Sequence, residues 1–307
     1  MSVDILIERI IRLQNPSVMG LDPAPQLIPP HLLEQAQGQN PFERAANAVT
    51  LFNRGLIDAV CDILPAVKPQ LACYEQLRHE GMRAYYDTVR HATQRGLFVI
   101  ADAKRGDIGS TCDYYAAAHL GEVELYGERL PVFDADALTV NPYLGSDGLA
   151  PFMKTGKLLF VLTKTSNPSS GEFQDRLLEG TPLYRAVAER LAALGREGVG
   201  RFGYDNLGAV VGATYPEQLA ELRRALPHTF FLVPGYGAQG GGGAEAAAAF
   251  DGRGLGAIVN SSRGIIGAWK KTGDGRHFAE AAREAALAMR EELRACIGHP
   301  IGEGVRA

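Results

Sequence analysis

The stretch that decides the fold is Leu97-Phe-Val-Ile-Ala-Asp-Ala-Lys-Arg-Gly-Asp-Ile-Gly-Ser-Thr111. It opens with five apolar residues, Leu97 to Ala101. A short unbroken apolar run of this kind predicts a strand buried on both faces, as in parallel sheets. Asp102, Lys104 and Asp107 follow in a D-x-K-x-x-D spacing. Side chains two apart on a strand point the same way, so Asp102 and Lys104 are expected to share a direction. Gly106 and Gly109 mark the exit into a turn. Ser110 is a candidate cap for the next helix, with Asp113 as its capping-box partner. Three charges thus stand at the carboxyl end of a buried strand, where open α/β sheets and barrels place their active sites.

Seven more segments read as short apolar strands: 17–22, 66–69, 137–141, 157–163, 207–212, 230–233 and 257–260. Helical spacing predicts helices at 3–13, 43–63, about 80–94, 110–127, 181–194, 216–226, 244–250 and about 277–296. Strands alternating with helices predict a parallel α/β sheet. Eight such units favour a closed (β/α)8 TIM barrel, and Gly20-Leu-Asp-Pro lacks the G-x-G-x-x-G fingerprint of a dinucleotide-binding sheet. The 307 residues are expected to form one domain, with loop insertions at 26–44 and 121–136 and a disordered tail at 302–307. Lys164-Thr-Ser-Asn-Pro-Ser-Ser-Gly171 is turn-rich and polar, a candidate mobile loop.

Lys and Arg number 31 against 35 Asp and Glu, a net charge of -4. No basic face is implied, which argues against a nucleic-acid partner. Cys61, Cys73, Cys112 and Cys296 show no C-x-x-C spacing, so a reduced cytoplasmic compartment is expected rather than a disulfide framework or zinc site. Asp4, Glu8, Arg9 and Arg12 interrupt the apolar N-terminus, which reads as neither signal peptide nor membrane span.

Charged residues recur at the predicted strand ends: Asp22, Lys68, Asp102, Lys104 and Asp107. Any one alone reads as a solvated loop charge. A closed barrel brings its strand ends to one mouth, so the set converges. Alternating signs keep carboxylates ionised and lysines protonated against desolvation. Interleaved lysines compete with a hard cation for oxygen ligands, so no metal is expected. A protonated lysine between acids suits proton delivery to a carbanion, whereas a Schiff-base lysine needs a depressed pKa. The second constellation is Gly235–Gly243, the short helix after it, and Arg263. Taken alone it is a flexible loop and a surface arginine. As loops after strands seven and eight, the pair predicts a phosphate site, with Gln239 as a further donor.

These residues resemble the orotidine 5'-phosphate decarboxylase family. The resemblance is carried by Asp102-Ala-Lys104-Arg-Gly-Asp107-Ile-Gly-Ser-Thr111, Gly20-Leu-Asp22, Lys68-Pro69, Pro234-Gly-Tyr-Gly-Ala-Gln239-Gly-Gly and Asn260-Ser-Ser-Arg263-Gly-Ile, from first strand to last. The length and the Asn-Ser-Ser-Arg motif are similar to the longer bacterial subgroup. The resemblance implies a cofactor-free carboxy-lyase that converts orotidine 5'-phosphate to UMP and CO2 in pyrimidine biosynthesis. It makes Lys104 the proton donor to C6, sets Asp102 beside the departing carboxylate, and puts Lys68 in the same array. Asp22 and Lys68 would meet ribose hydroxyls, Gln239 and Arg263 the phosphate, and Ser166 the pyrimidine amide. Asp107, Ile108 and Thr111 would reach the neighbouring subunit's site, which implies a homodimer.

Two alternatives stay open on the residues alone. One is a related barrel lyase that acts on a sugar phosphate acid, shares D-x-K-x-x-D and uses Mg2+. Arg105 and Gln239 favour the nucleotide reading over it. The other is a non-catalytic barrel that binds a phosphorylated metabolite, although a pure binder gains little from an acid beside an anionic ligand.

Overall fold

The computed structural model describes residues 1–196, 198–237 and 241–304. All eight expected strands form: β1 (Ser17–Leu21), β2 (Ala66–Pro69), β3 (Phe98–Arg105), β4 (Ala137–Val140), β5 (Leu158–Lys164), β6 (Leu207–Val211), β7 (Phe231–Val233) and β8 (Ala257–Ser261). They pair in parallel, each with its neighbours in sequence, and β8 returns to β1 through Ser17↔Val259, Val18↔Asn260 and Met19↔Ser261. The result is a closed (β/α)8 TIM barrel.

Two apolar layers follow from the two-residue period of the strands. Along β3, Phe98 and Ile100 face the barrel interior, with Val18, Phe160 and Phe230. Val99 and Ala101 face outward, against a layer that includes Phe52, Leu56 and Val89 from the helices. Helix α1 (Ser2–Leu13) turns Val3, Leu6, Ile7 and Ile10 into the interior cluster. It therefore covers the amino-terminal end of the barrel, opposite the carboxyl-terminal mouth. Ile5, on the opposite face of the helix, is 46% exposed. Helices α2 (Pro41–Val60), α3 (Arg78–Gln94), α4 (Gly109–Leu120), α5 (Ser146–Met153), α6 (Leu183–Gly195), α7 (Pro216–Ala225), α8 (Gly243–Ala247), α9 (Arg263–Ile266) and α10 (Phe278–Ile297) lie between or after the strands.

Several boundaries differ from expectation for local reasons. Helix α4 stops at Leu120, not 127, because Gly121 ends it and Glu122–Leu125 pairs with Glu128–Pro131 as a hairpin. Tyr126 and Gly127 form its two-residue turn, both at positive φ (53° and 84°), as the twist of a tight hairpin requires. The N-cap of α4 is Ile108 without a side-chain hydrogen bond, so the expected Ser110 cap does not form. Insertion 26–44 holds a short helix, Pro30–Gln35; Leu27, Ile28 and Leu32 are buried in the outer layer and Trp269 Nε1 donates to the Leu27 carbonyl (2.9 Å). In the tail, Ile301–Gly304 forms a turn tied to Arg253 by the Gly302 N–H, whereas 305–307 lie outside the described residues.

Candidate active site

A cavity of about 470 Å3 opens at the carboxyl-terminal mouth, its floor made by residues at the strand ends. On β3 the inward alternation of Phe98 and Ile100 continues to Asp102, which is 6% exposed. The expected common direction of Asp102 and Lys104 is realised by another route than regular strand geometry. The β3–β4 register shifts between Ala101 and Arg105, and Lys104 adopts φ 50°. Few side chains other than glycine take that conformation, so the backbone is strained at this lysine. Its N–H donates to Thr139 Oγ1 of β4 (2.9 Å), which holds the turn in place.

Asp102 is the hub. Lys68 Nζ from β2 lies 2.5 Å from its Oδ2, and Lys104 Nζ lies 2.6 Å from its Oδ1. Gln70 Nε2 donates to Oδ2 (2.9 Å) and Thr139 Oγ1 donates to Oδ1 (2.9 Å). Burial alone would push the Asp102 carboxyl up; the Lys68 and Lys104 charges and hydrogen bonds outweigh it and hold it well below the usual carboxylate range. Burial likewise works to lower Lys68, yet the Asp102 and Asp22 carboxylates hold its ammonium above the ordinary value. Lysine and acid are thus both charged in a place that would neutralise either alone. The Lys68 side chain is 5% exposed and that of Lys104 is 47%. Both line the cavity; Lys68 is buried in its wall, and Lys104 is the more exposed ammonium.

Asp22 lines the same cavity, and its Oδ1 is shielded from solvent with no hydrogen-bond partner among the described residues. Asn260 Oδ1 on β8 is in the same state. These two acceptors on the cavity wall suit ligand hydroxyl or amide donors. Gly20 lets β1 pass this close: a Cβ there would lie 1.9 Å from Ser262 Oγ and 3.1 Å from Asn260 Oδ1.

Ser166 and Arg263 also line the cavity. Arg263 opens α9 and makes no ion pair with an acid among the described residues, so its guanidinium is available to an anion. The helix after the glycine loop behaves differently from expectation. The Gly242 N–H donates to Glu245 Oε2 (2.8 Å) and the Gly243 N–H to Glu292 Oε1 (2.6 Å). Two carboxylates of the chain itself therefore occupy the α8 terminus expected to hold phosphate. Glu292 also accepts from the Tyr236 hydroxyl (2.6 Å), which ties the loop after β7 to α10. Gln239 lies outside the described residues.

The remaining three site residues do not join this cavity. Asp107 is partly exposed and its Oδ1 accepts the Ile108 N–H (2.7 Å); Ile108 is 60% exposed and Thr111 is exposed. Gln70, Thr139 and Gln174 line the cavity without having been singled out in the sequence. Gln70 follows Lys68 by two residues, the same-face spacing. Thr139 is the one polar residue inside Ala137-Leu-Thr-Val140. Gln174 carries no comparable signal. Among the described residues no group of three or more His, Cys, Asp and Glu is arranged to hold a metal ion. No helix is long and apolar enough to cross a membrane among those residues, and the four cysteines are unpaired.

Comparison with known proteins accords with this geometry. Residues 53–278 match the model of the Orotidine 5'-phosphate decarboxylase / HUMPS family. An orotidine 5'-phosphate decarboxylase of Rhodopirellula baltica is 45% identical over 294 residues, which cover 93% of this chain and 96% of that one. The solved structure of Leishmania donovani OMP decarboxylase superposes with a TM-score of 0.69 at 33% identity, covering 94% of this chain and 98% of that one. Leishmania donovani UMP synthase superposes with a TM-score of 0.75 at 34% identity over 96% of this chain, which spans 56% of that longer protein. By sequence along most of its length and by its barrel, the chain belongs to the orotidine 5'-phosphate decarboxylase family.

Proposed function

We propose that the chain is a carboxy-lyase that converts orotidine 5'-phosphate to UMP and CO2, with Lys104 as the acid. The observation that carries this reading is the Asp102 carboxylate gripped by two cavity-lining ammonium groups, of which Lys104 is the more exposed, 47% against 5% for Lys68. Heterolysis of the C6–carboxylate bond releases CO2 and leaves the electron pair on C6 as an sp2 carbanion. Little resonance stabilises that pair, so catalysis must supply on the order of 20 kcal/mol. A preorganised ammonium beside the carbanion stabilises it as charge develops and then transfers its proton to C6. Lys104 regains a proton from water.

Asp102 has two tasks in this scheme. It aims Lys104 through their ion pair, and its charge stands beside the substrate carboxylate that departs. Lys68 keeps Asp102 ionised. Asp22 and Lys68 take ribose hydroxyls, Arg263 and Gln239 the phosphate, and Ser166 the pyrimidine amide. Binding at the phosphate, remote from C6, supplies free energy to order the site around the reacting bond. The functional unit we propose is a cytoplasmic homodimer of single-domain barrels, working without metal or cofactor. Asp107, Ile108 and Thr111, which stand apart from this subunit's cavity, are assigned to the partner's site.

The test is direct: orotidine 5'-phosphate is added to protein held in EDTA and ultraviolet absorbance is followed. Loss of absorbance with UMP as product is expected. No change would overturn the reading. Activity restored only by Mg2+ would point to the metal-dependent barrel lyases.

A further inference from the structure

Lys164 ends β5, and its side chain is 0% exposed. Its position depends on a bulge. Val210 of β6 pairs with Leu162, but Val211 pairs with Lys164, so Thr163 is an extra residue in the ladder. Leu162 and Val210 line the cavity, whereas Val211 belongs to the outer layer. In an unbulged strand Lys164 would follow Leu162 inward and add another cation to the mouth. The bulge re-aims it outward, beneath segment 165–175.

There its Nζ lies 2.7 Å from Asp175 Oδ1 and 3.3 Å from Ser170 Oγ, and 4.4 Å from the centre of the Tyr215 ring. Asp175 is its one carboxylate partner among the described residues and is itself 42% exposed. A buried ammonium is costly without its counter-charge, so Asp175 is strongly held to it. The segment between carries Thr165, Ser166, Asn167 and Gln174 into the cavity wall. Gln174 reinforces the same closure: its Oε1 accepts the Thr165 N–H (2.9 Å), and its Nε2 donates to Thr165 Oγ1 (2.8 Å).

We propose that Lys164 and Asp175 are a positioning pair for the reaction: the buried ammonium clasps Asp175 and so shapes segment 165–175 to present Ser166 and Gln174 to the substrate. This rests on reading the cavity as the decarboxylase site. Neither residue touches substrate in this account. Without the clasp the free segment samples other shapes, and apparent affinity falls by the fraction of molecules that remain competent. Once substrate has ordered the segment, the reacting groups stand as before. The effect therefore belongs in KM and not in kcat.

The test compares Asp175→Asn, the charge-keeping Asp175→Glu, and the double variant Lys164→Met/Asp175→Asn, which leaves no orphaned buried charge if the single variant folds poorly. Steady-state kinetics with orotidine 5'-phosphate, calorimetric binding of UMP, and amide hydrogen exchange of residues 165–175 are measured well below each Tm. For Asp175→Asn and the double variant, KM and the UMP Kd are expected to rise about tenfold or more, with kcat within about threefold of wild type. Asp175→Glu should stay near wild type, and exchange should quicken in 165–175 alone. A lowered Tm with unchanged KM, UMP binding and exchange would reduce the pair to a structural contact and overturn the proposal. A wild-type protein inactive on orotidine 5'-phosphate would instead defeat the functional reading. The exchange measurement still decides the clasp in that case, since unchanged exchange overturns it and faster exchange confined to the segment supports it.

Discussion

Thr139 donates its hydroxyl to Asp102 at 2.9 Å while the same oxygen accepts the backbone N–H of Lys104 at 2.9 Å. One side chain from the neighbouring strand thus fixes both the hub carboxylate and the strained peptide that carries the ammonium. Thr139→Val keeps the shape and removes both bonds. We expect kcat/KM to fall about 10- to 100-fold, or roughly 1.4–2.7 kcal/mol. Steady-state assay of the purified variant checks this, and a wild-type value would remove Thr139 from the machinery.

Lys104→Ala should abolish nearly all turnover, by at least roughly 10^4-fold, because stabilisation of the carbanion and its protonation are lost together. The fold should survive. Lys104 is half-exposed, and alanine bears the positive φ no worse than lysine does. Circular dichroism alongside the assay separates the two effects; appreciable turnover in folded protein would sink the assignment.

Arg263→Ala removes the cavity-lining guanidinium that has no acidic partner among the described residues. Its kcat/KM should drop by about 2–5 kcal/mol. Inorganic phosphate should then compete less well with substrate in the variant than in wild type. Unchanged kinetics and unchanged competition would take Arg263 out of the phosphate site.

Inactive Asp107→Ala and Lys104→Ala proteins, mixed and allowed to exchange subunits, should recover activity. Random pairing makes about half the dimers hybrid, each with one intact site, for about a quarter of wild-type activity. No recovery despite mass-spectrometric proof of exchange would argue against a site shared between subunits.

Asp205 supplies a prediction about stability. It lies ahead of β6, is 3% exposed, and burial pushes its carboxyl up to about 6 although the Leu207 N–H opposes the shift. An acid whose folded pKa exceeds its unfolded value of about 3.9 favours the folded state most below that value. Stability is lost as pH rises from there through about 6, and the penalty persists above, on the order of 2–3 kcal/mol. Asp205→Asn should therefore raise Tm at pH 7–8 and change it little near pH 4. Thermal denaturation at the two pH values decides; an equal shift at both would exclude this cause.

Much of this fold is legible in the sequence because each barrel strand is a short apolar run between turn residues, and that signal depends on burial alone. The site is legible where chemistry and strand ends coincide, as at Lys68, Asp102 and Lys104. Other features depend on neighbours distant in the chain. Thr139 reads as an ordinary strand former until β3 lies beside it. Nothing in Asp102-Ala-Lys104-Arg announces a positive φ; that follows from the register of β3 on β4. Glu292 takes the α8 terminus from a helix about fifty residues downstream, a choice that loop composition cannot foretell. The hairpin at 122–131 is a different case. Its alternation and its Tyr126-Gly127 turn were present to be read, but helical spacing carried past Gly121 hid them.

The pairing of Ser17 with Val259 has a consequence for how the molecule comes to exist. During vectorial synthesis the first strand keeps an unpaired edge until the last strand has left the ribosome, so the ring cannot close early. Contacts this far apart in sequence make folding slow and leave partial barrels open to edge-to-edge association. Asp22, next to the first strand, and Arg263, next to the last, become walls of one cavity only after that closure. A nascent chain would thus hold Lys68, Asp102 and Lys104 well before it holds a complete site.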